Sequence, residues 1–88
     1  RAAAAALPRA MRQAITRIES GENIPATLAA LEAELIHAGF RSVDYATLAD
    51  AGSLEPLAIL GDAPARLLVA ARIGRTRLID NMPVGESL

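Results

Sequence analysis

Leu7, Met11, Ala14, Ile15 and Ile18 recur at i, i+4, i+7, i+8 and i+11, with Arg9, Arg12, Gln13 and Arg17 on the other side. That is the 3.6-residue period of an amphipathic helix with one apolar stripe. Pro8 either opens this helix, with Ala2 to Ala6 as a frayed lead-in, or kinks a longer helix that starts at the N-terminus. Ser20-Gly21 stops it. A second helix is predicted to begin between Asn23 and Pro25, capped by the Asn side chain, and to run to Ala38 with Ile24, Leu28, Leu31 and Leu35 as its stripe. Gly39 supplies a left-handed terminating residue, and Phe40 can fold back on the last turn. The short Gly-containing connection makes the two helices an αα-hairpin.

From Val43 onward the period shortens. Val43 to Ala49, Arg66 to Ile73 and Thr76 to Val84 have the length and alternation of strands, separated by turns rich in Gly, Pro and Asp. Gly74, at the first central position of Ile73-Gly74-Arg75-Thr76, suits a type II′ turn and closes the last two strands into an antiparallel hairpin. In that register Leu67, Val69, Ala71 and Ile73 share the helix-covered face with Thr76, Leu78, Asp80 and Met82. Arg66, Leu68, Ala70, Arg72, Arg77, Ile79 and Asn81 take the other face. Residues 51–64 form the one long connection, and Leu54 to Leu60 is apolar enough to pack down. The predicted fold class is α+β: an N-terminal αα-hairpin on a small three-stranded antiparallel sheet that ends in a β-hairpin.

Composition narrows the chemistry. The 88 residues suffice for one core, so residues 1–88 are expected to form a single domain of modest stability. With no cysteine there is no disulfide scaffold, thiolate metal site or thiol nucleophile. The longest apolar run, Ala2 to Leu7, is far short of the roughly 18 residues a membrane span needs, which predicts a soluble protein. A formal net charge of −1 lacks the basic excess of a nucleic-acid binder. The start at Arg1 and the polar end from Gly85 to Leu88 are expected of a piece of something longer.

No self-contained catalytic constellation is visible. His37 is the one histidine and sits off the leucine stripe, while Glu32 and Glu34, two apart on a helix, do not share a face. Ser20, Ser42, Ser53 and Ser87 have no nucleophile setting, and neither G-x-G-x-x-G nor G-x-x-x-x-G-K-[ST] occurs. The hairpin holds the remaining candidates. Arg72 and Arg77 fall across from each other, an unfavourable pairing unless a carboxylate or bound anion lies between them. Asp80 and Asn81 interrupt an apolar strand, and a carboxylate facing the helices must be hydrogen-bonded or lie at the domain's edge. Arg66, Arg72, Arg75 and Arg77 could form an anion or RNA patch, but Phe40 and Tyr45 are the only aromatics, too few for a stacking platform.

Three stretches resemble a known family: Val43-Asp44-Tyr45-Ala46-Thr47-Leu48-Ala49-Asp50, then Leu54-Glu55-Pro56-Leu57, then Ala65 through Asn81. The last, with Leu68-Val69-Ala70-Ala71 followed by Gly74, Thr76 and Arg77-Leu78-Ile79-Asp80-Asn81, is similar to the closing motif of the pantoate-beta-alanine ligase family. Ser20-Gly21-Glu22 between the helices and Gly39-Phe40 before the first strand extend the likeness over almost the whole chain.

The resemblance implies the C-terminal domain of an ATP- and magnesium-dependent enzyme that activates pantoate as an acyl adenylate and passes the acyl group to beta-alanine. A Rossmann-like N-terminal domain would carry the HIGH-type motif and the serine-arginine loop, and would bind ATP and Mg; none of those motifs occurs here, so no catalytic, cofactor-binding or metal residue is carried over. The implied role of this domain is a hinged lid on that N-terminal domain, in a cytoplasmic enzyme whose parent is a homodimer, with no nucleic acid or membrane as partner. Arg72, Asp80 and Asn81 are the residues expected to face the neighbouring domain. The competing expectation is a stand-alone interaction or dimerisation module that pairs through its exposed hairpin edge.

Overall fold

A computed structural model describes residues 2–85; Arg1 and the polar end at residues 86–88, including Ser87, lie outside the described residues. Helix α1 spans Ala2–Glu19 and helix α2 Ile24–His37, followed by strands β1 (Ser42–Asp50), β2 (Ala65–Ile73) and β3 (Thr76–Val84). The three strands make one antiparallel sheet in the order β1-β2-β3. This is the α+β architecture expected from the sequence.

Of the two placements of Pro8, the structure has the longer helix with proline in its interior. Without an N–H, Pro8 cannot complete a helical hydrogen bond, a defect that costs about 3 kcal/mol in an isolated helix. Burial on both sides of it offsets that: Ala6, Leu7, Ala10 and Met11 are all sealed in the core. In α2 the Asn23 side chain accepts a hydrogen bond from the Ala26 N–H at 2.8 Å, as capping requires. Thr27 is the one buried polar side chain among the described residues, and its hydroxyl donates to the Asn23 carbonyl at 2.7 Å.

Both helices end in the same way. The Gly21 and Glu22 N–H groups donate to the Ile18 and Arg17 carbonyls, and the Gly39 and Phe40 N–H groups to those of Ile36 and Leu35. Each set is a Schellman motif, and the second buries Phe40 against the end of α2, as its sequence predicts. Gly39 sits at φ +118°, a backbone conformation side chains rarely adopt; a Cβ added there would meet Ala3 of α1 at 3.4 Å, an ordinary contact, so it is the backbone that calls for glycine.

The hairpin register is the expected one, with Ile73 opposite Thr76 and Arg72 opposite Arg77. Gly74 has φ +57° and Arg75 stays out of the left-handed region, the signs of a type II′ turn. Leu67, Val69 and Ala71 of β2 are fully buried under the helices with Leu48 of β1 and Val84 of β3, while Ile73, Leu78 and Met82 pack at the margin. Helix α1 lies over β2 and β3, and α2 over β1. Pro83 removes a donor from β3, which suits a strand at the sheet's edge. The 51–64 connection packs down only in part: Leu57 and Leu60 reach the core, whereas Leu54 and Ile59 stay exposed.

Two glycines make opposite predictions. Gly39→Ala forces a side chain into a left-handed backbone and is expected to destabilise the chain by at least about 1 kcal/mol. Gly61→Ala, in open space without a positive φ, is expected to be neutral or slightly stabilising. Urea midpoints of the two variants check this, and equal midpoints would mean that the helix end does not need its glycine.

Candidate functional site

The sheet is covered by helices on one side only, and its other side holds the candidate residues. Cross-strand pairing arranges that outer face in rows: Ser42, Arg72 and Arg77; then Tyr45, Ala70 and Ile79; then Thr47, Leu68 and Asn81; then Ala49, Arg66 and Pro83. The first row is the like-charge pairing anticipated above. What relieves it is an irregularity in β1. The register shifts between Val43 and Tyr45, so Asp44 is an extra residue in the strand. Such a bulge places neighbouring side chains on one side of a sheet where strict alternation would separate them.

Asp44 therefore joins the arginine row. Arg77 donates from Nε to Asp44 Oδ2 at 2.7 Å, and Arg72 from Nε to Asp44 Oδ1 at 3.3 Å. One carboxylate holds two guanidiniums, and neither terminal nitrogen pair has a partner among the described residues. The hydrogen bond from Arg77, aided by Arg72 and opposed by partial desolvation, holds the Asp44 carboxyl below its ordinary value of 3.8. At the other end of the face, Arg66 Nε donates to Asn81 Oδ1 at 2.9 Å.

The three residues expected to face a neighbouring domain are thus not one cluster. Arg72 and Asn81 lie on the outer face, two rows apart. Asp80 points to the helix side, half-buried at the edge strand, where its Oδ1 accepts the Asn81 N–H at 2.8 Å. That bond meets the requirement set by its inward position. Asp44 is the residue that sequence reasoning missed as a partner, although the opposed arginines signalled that a carboxylate was needed.

Elsewhere the chemistry is sparse. Asp50 Oδ1 accepts the Gly52 and Ser53 N–H groups at 2.8 and 2.9 Å, which closes the turn after β1 and lowers the pKa of Asp50, chiefly through Ser53. His37 is exposed at the end of α2. A groove of about 340 Å³ runs between the α1–α2 turn and the 51–64 connection, lined by Glu19, Glu22, Asn23, Ile59 and Leu60 among others. Its two carboxylates, with no cation in the lining, would repel a triphosphate. Among the described residues no three His, Cys, Asp or Glu side chains converge as metal ligands, and no helix is long and apolar enough to cross a membrane. Among the described residues, this groove does not suit ATP and no carboxylate cluster suits Mg.

A family model for pantoate-beta-alanine ligase matches residues 1–83. The chain belongs to the pantoate-beta-alanine ligase family. A pantothenate synthetase from Sphingopyxis alaskensis is 60% identical over 85 residues, which are 97% of this chain and 30% of that protein. One from Novosphingobium aromaticivorans is 56% identical over the same shares. A crystal structure of pantothenate synthetase from Thermus thermophilus matches with a TM-score of 0.72 and 32% identity over 86% of this chain and 27% of that one. The ligase-family chain thus spans under a third of the length of these relatives, and its two-layer fold is that of a solved family member.

The Asp44 arrangement predicts an acid response. A carboxyl with a depressed folded pKa contributes stability that is present above its unfolded value, near 3.8, and is lost as pH falls through the folded value. Asp44→Asn is therefore expected to narrow the gap between urea midpoints at about pH 7 and about pH 3. An unchanged gap would mean that the guanidiniums do nothing for this carboxylate.

Proposed function

We propose that this chain is the C-terminal lid domain of an ATP-dependent ligase that condenses pantoate with beta-alanine. The observation that carries the reading is the alignment of 97% of the chain with about 30% of pantothenate synthetases at up to 60% identity. One buried cluster draws on both helices and all three strands, which supports reading the segment as a unit of a longer enzyme.

In the parent reaction a pantoate carboxylate oxygen attacks the α-phosphorus of ATP and expels pyrophosphate. The beta-alanine nitrogen then attacks the acyl carbon, loses a proton and expels AMP, leaving pantothenate. ATP and magnesium are bound by the rest of the parent in this reading, since the described residues bring together no three metal-ligating side chains and the groove beside the α1–α2 turn is acidic. The parent is a cytoplasmic homodimer in this reading, and the segment by itself is inactive.

The lid's contribution is physical. An acyl adenylate is lost if water reaches it, so a body that closes over the site keeps the intermediate for the amine and strengthens the electrostatic interactions beneath it. A closing body must move as a unit. Two helices sealed onto one sheet through a shared core have that property.

Pantoate-dependent release of AMP and pyrophosphate, compared between the full parent and a form ending before Arg1, tests the reading. The parent is expected to make pantothenate, and the shortened form to lose most of that rate or to release AMP without pantothenate. A shortened form that turns over normally, or a parent without pantoate-dependent activity, would overturn it.

A further inference from the structure

A sheet covered on one side normally alternates apolar inward and polar outward. The outer face here does so only in part, most fully in the row of Ser42, Arg72 and Arg77. Its centre is Tyr45, Ala70 and Ile79 in one row with Leu68 behind them. Ile79 is 60% exposed and Tyr45 39%. Neither belongs to the core cluster, so the fold draws little stability from them. Around this apolar centre stand Arg72 and Arg77 at one end and Arg66 with Asn81 at the other. An apolar centre rimmed by polar groups, with Tyr and Arg prominent, is the composition of a contact surface.

The size of the face selects its occupant. Three strands at their usual spacing, nine residues long, present on the order of 400 Å². That is about half of the ~800 Å² per partner that a stable complex between free molecules buries. It is enough for a contact between tethered domains, which bury as little as about 600 Å² in total and are helped by their covalent link. The relatives supply such a neighbour, since they are more than three times as long as the segment matched here.

Charge adds a further condition. The face carries three arginines against Asp44, in a chain whose formal net charge is −1, and the terminal nitrogens of Arg72 and Arg77 are unpartnered among the described residues. We propose that the outer face of the sheet is the surface this domain presents to the remainder of the ligase, with Tyr45 and Ile79 against an apolar patch and Arg72 and Arg77 against a carboxylate of that domain. This rests on the lid reading and specifies its contact face. Asp44 is then a positioning residue, holding both guanidiniums in one orientation for their partner.

Cysteine labelling of the full-length ligase tests it, in a background free of other cysteines. With ATP and pantoate bound, Ile79→Cys is expected to react with a maleimide at least about tenfold more slowly than Glu32→Cys, an exposed site on α2. The protection should not vary with protein concentration. Arg72→Gln with Arg77→Gln should lower it in an enzyme that keeps its folded far-ultraviolet circular dichroism spectrum. Equal labelling at the two sites in every state would overturn the proposal, and protection that grows with concentration would assign the face to a second copy. If truncation abolishes turnover while Ile79→Cys stays reactive, the lid reading survives and this face is wrong. If truncation has no effect, the lid reading itself has failed.

Discussion

Strand β2 pairs on both sides, and its inward residues Ala65, Leu67, Val69 and Ala71 are almost completely withdrawn from solvent. The αα-hairpin cannot hide its two apolar stripes against itself alone; it needs this strip, with Leu48 and Val84 beside it, to close the core. A chain of this length buries only about 60–65% of its unfolded surface, so little in it is redundant. Alanine at both ends of the strip and larger side chains between them give the helices a ridge to settle on. The helix ends are fixed to suit, with Gly39 taking the positive φ that ends α2 beside Ala3 of α1.

The same strand decides what faces outward. Since side chains alternate with a period of two, placing Leu67, Val69 and Ala71 inward commits Arg66, Leu68, Ala70 and Arg72 to the open side. The hairpin register carries the same commitment into β3. These assignments were legible in the sequence because each depends on local periodicity and on one tight turn. So were the helix stripes, the Asn23 cap and the glycine stops, all set by residues within a few positions of one another.

The rest depended on distant partners. Whether Ala2 to Ala6 is helix or frayed lead-in turns on whether the fold offers it a surface, and Ala3 beside Gly39 and the buried Ala6 show that it does. The bulge at Asp44 turns on how β1 counts against β2 across the 51–64 connection, a match that no short window contains. Its trace in the sequence was indirect: Arg72 and Arg77 forced together across the hairpin, with no carboxylate beside them in a regular register. Asp80 shows the converse. Periodicity placed it inward correctly, but its hydrogen bond is to the adjacent Asn81 N–H, so the inward carboxylate is a local feature and not by itself a contact with another domain.

One extra residue in β1 thus changes the character of the whole outer face. Without the bulge, Arg72 and Arg77 would repel each other and splay into solvent, and Asp44 would lie on the helix side as a carboxylate at the margin of an apolar layer. With it, two half-exposed guanidiniums share one carboxylate and are held in a common orientation beside an apolar centre. Holding two long side chains in fixed geometry costs rotamer entropy, and an exposed ion pair returns little stability for it. Pre-organisation gains value only when something arrives to use it, because the ordering is then already complete at the moment of contact. For a body that closes over a site, as the lid reading has it, a face ordered before contact makes each closure less costly, and two arginines at one end against one at the other favour a single way of seating.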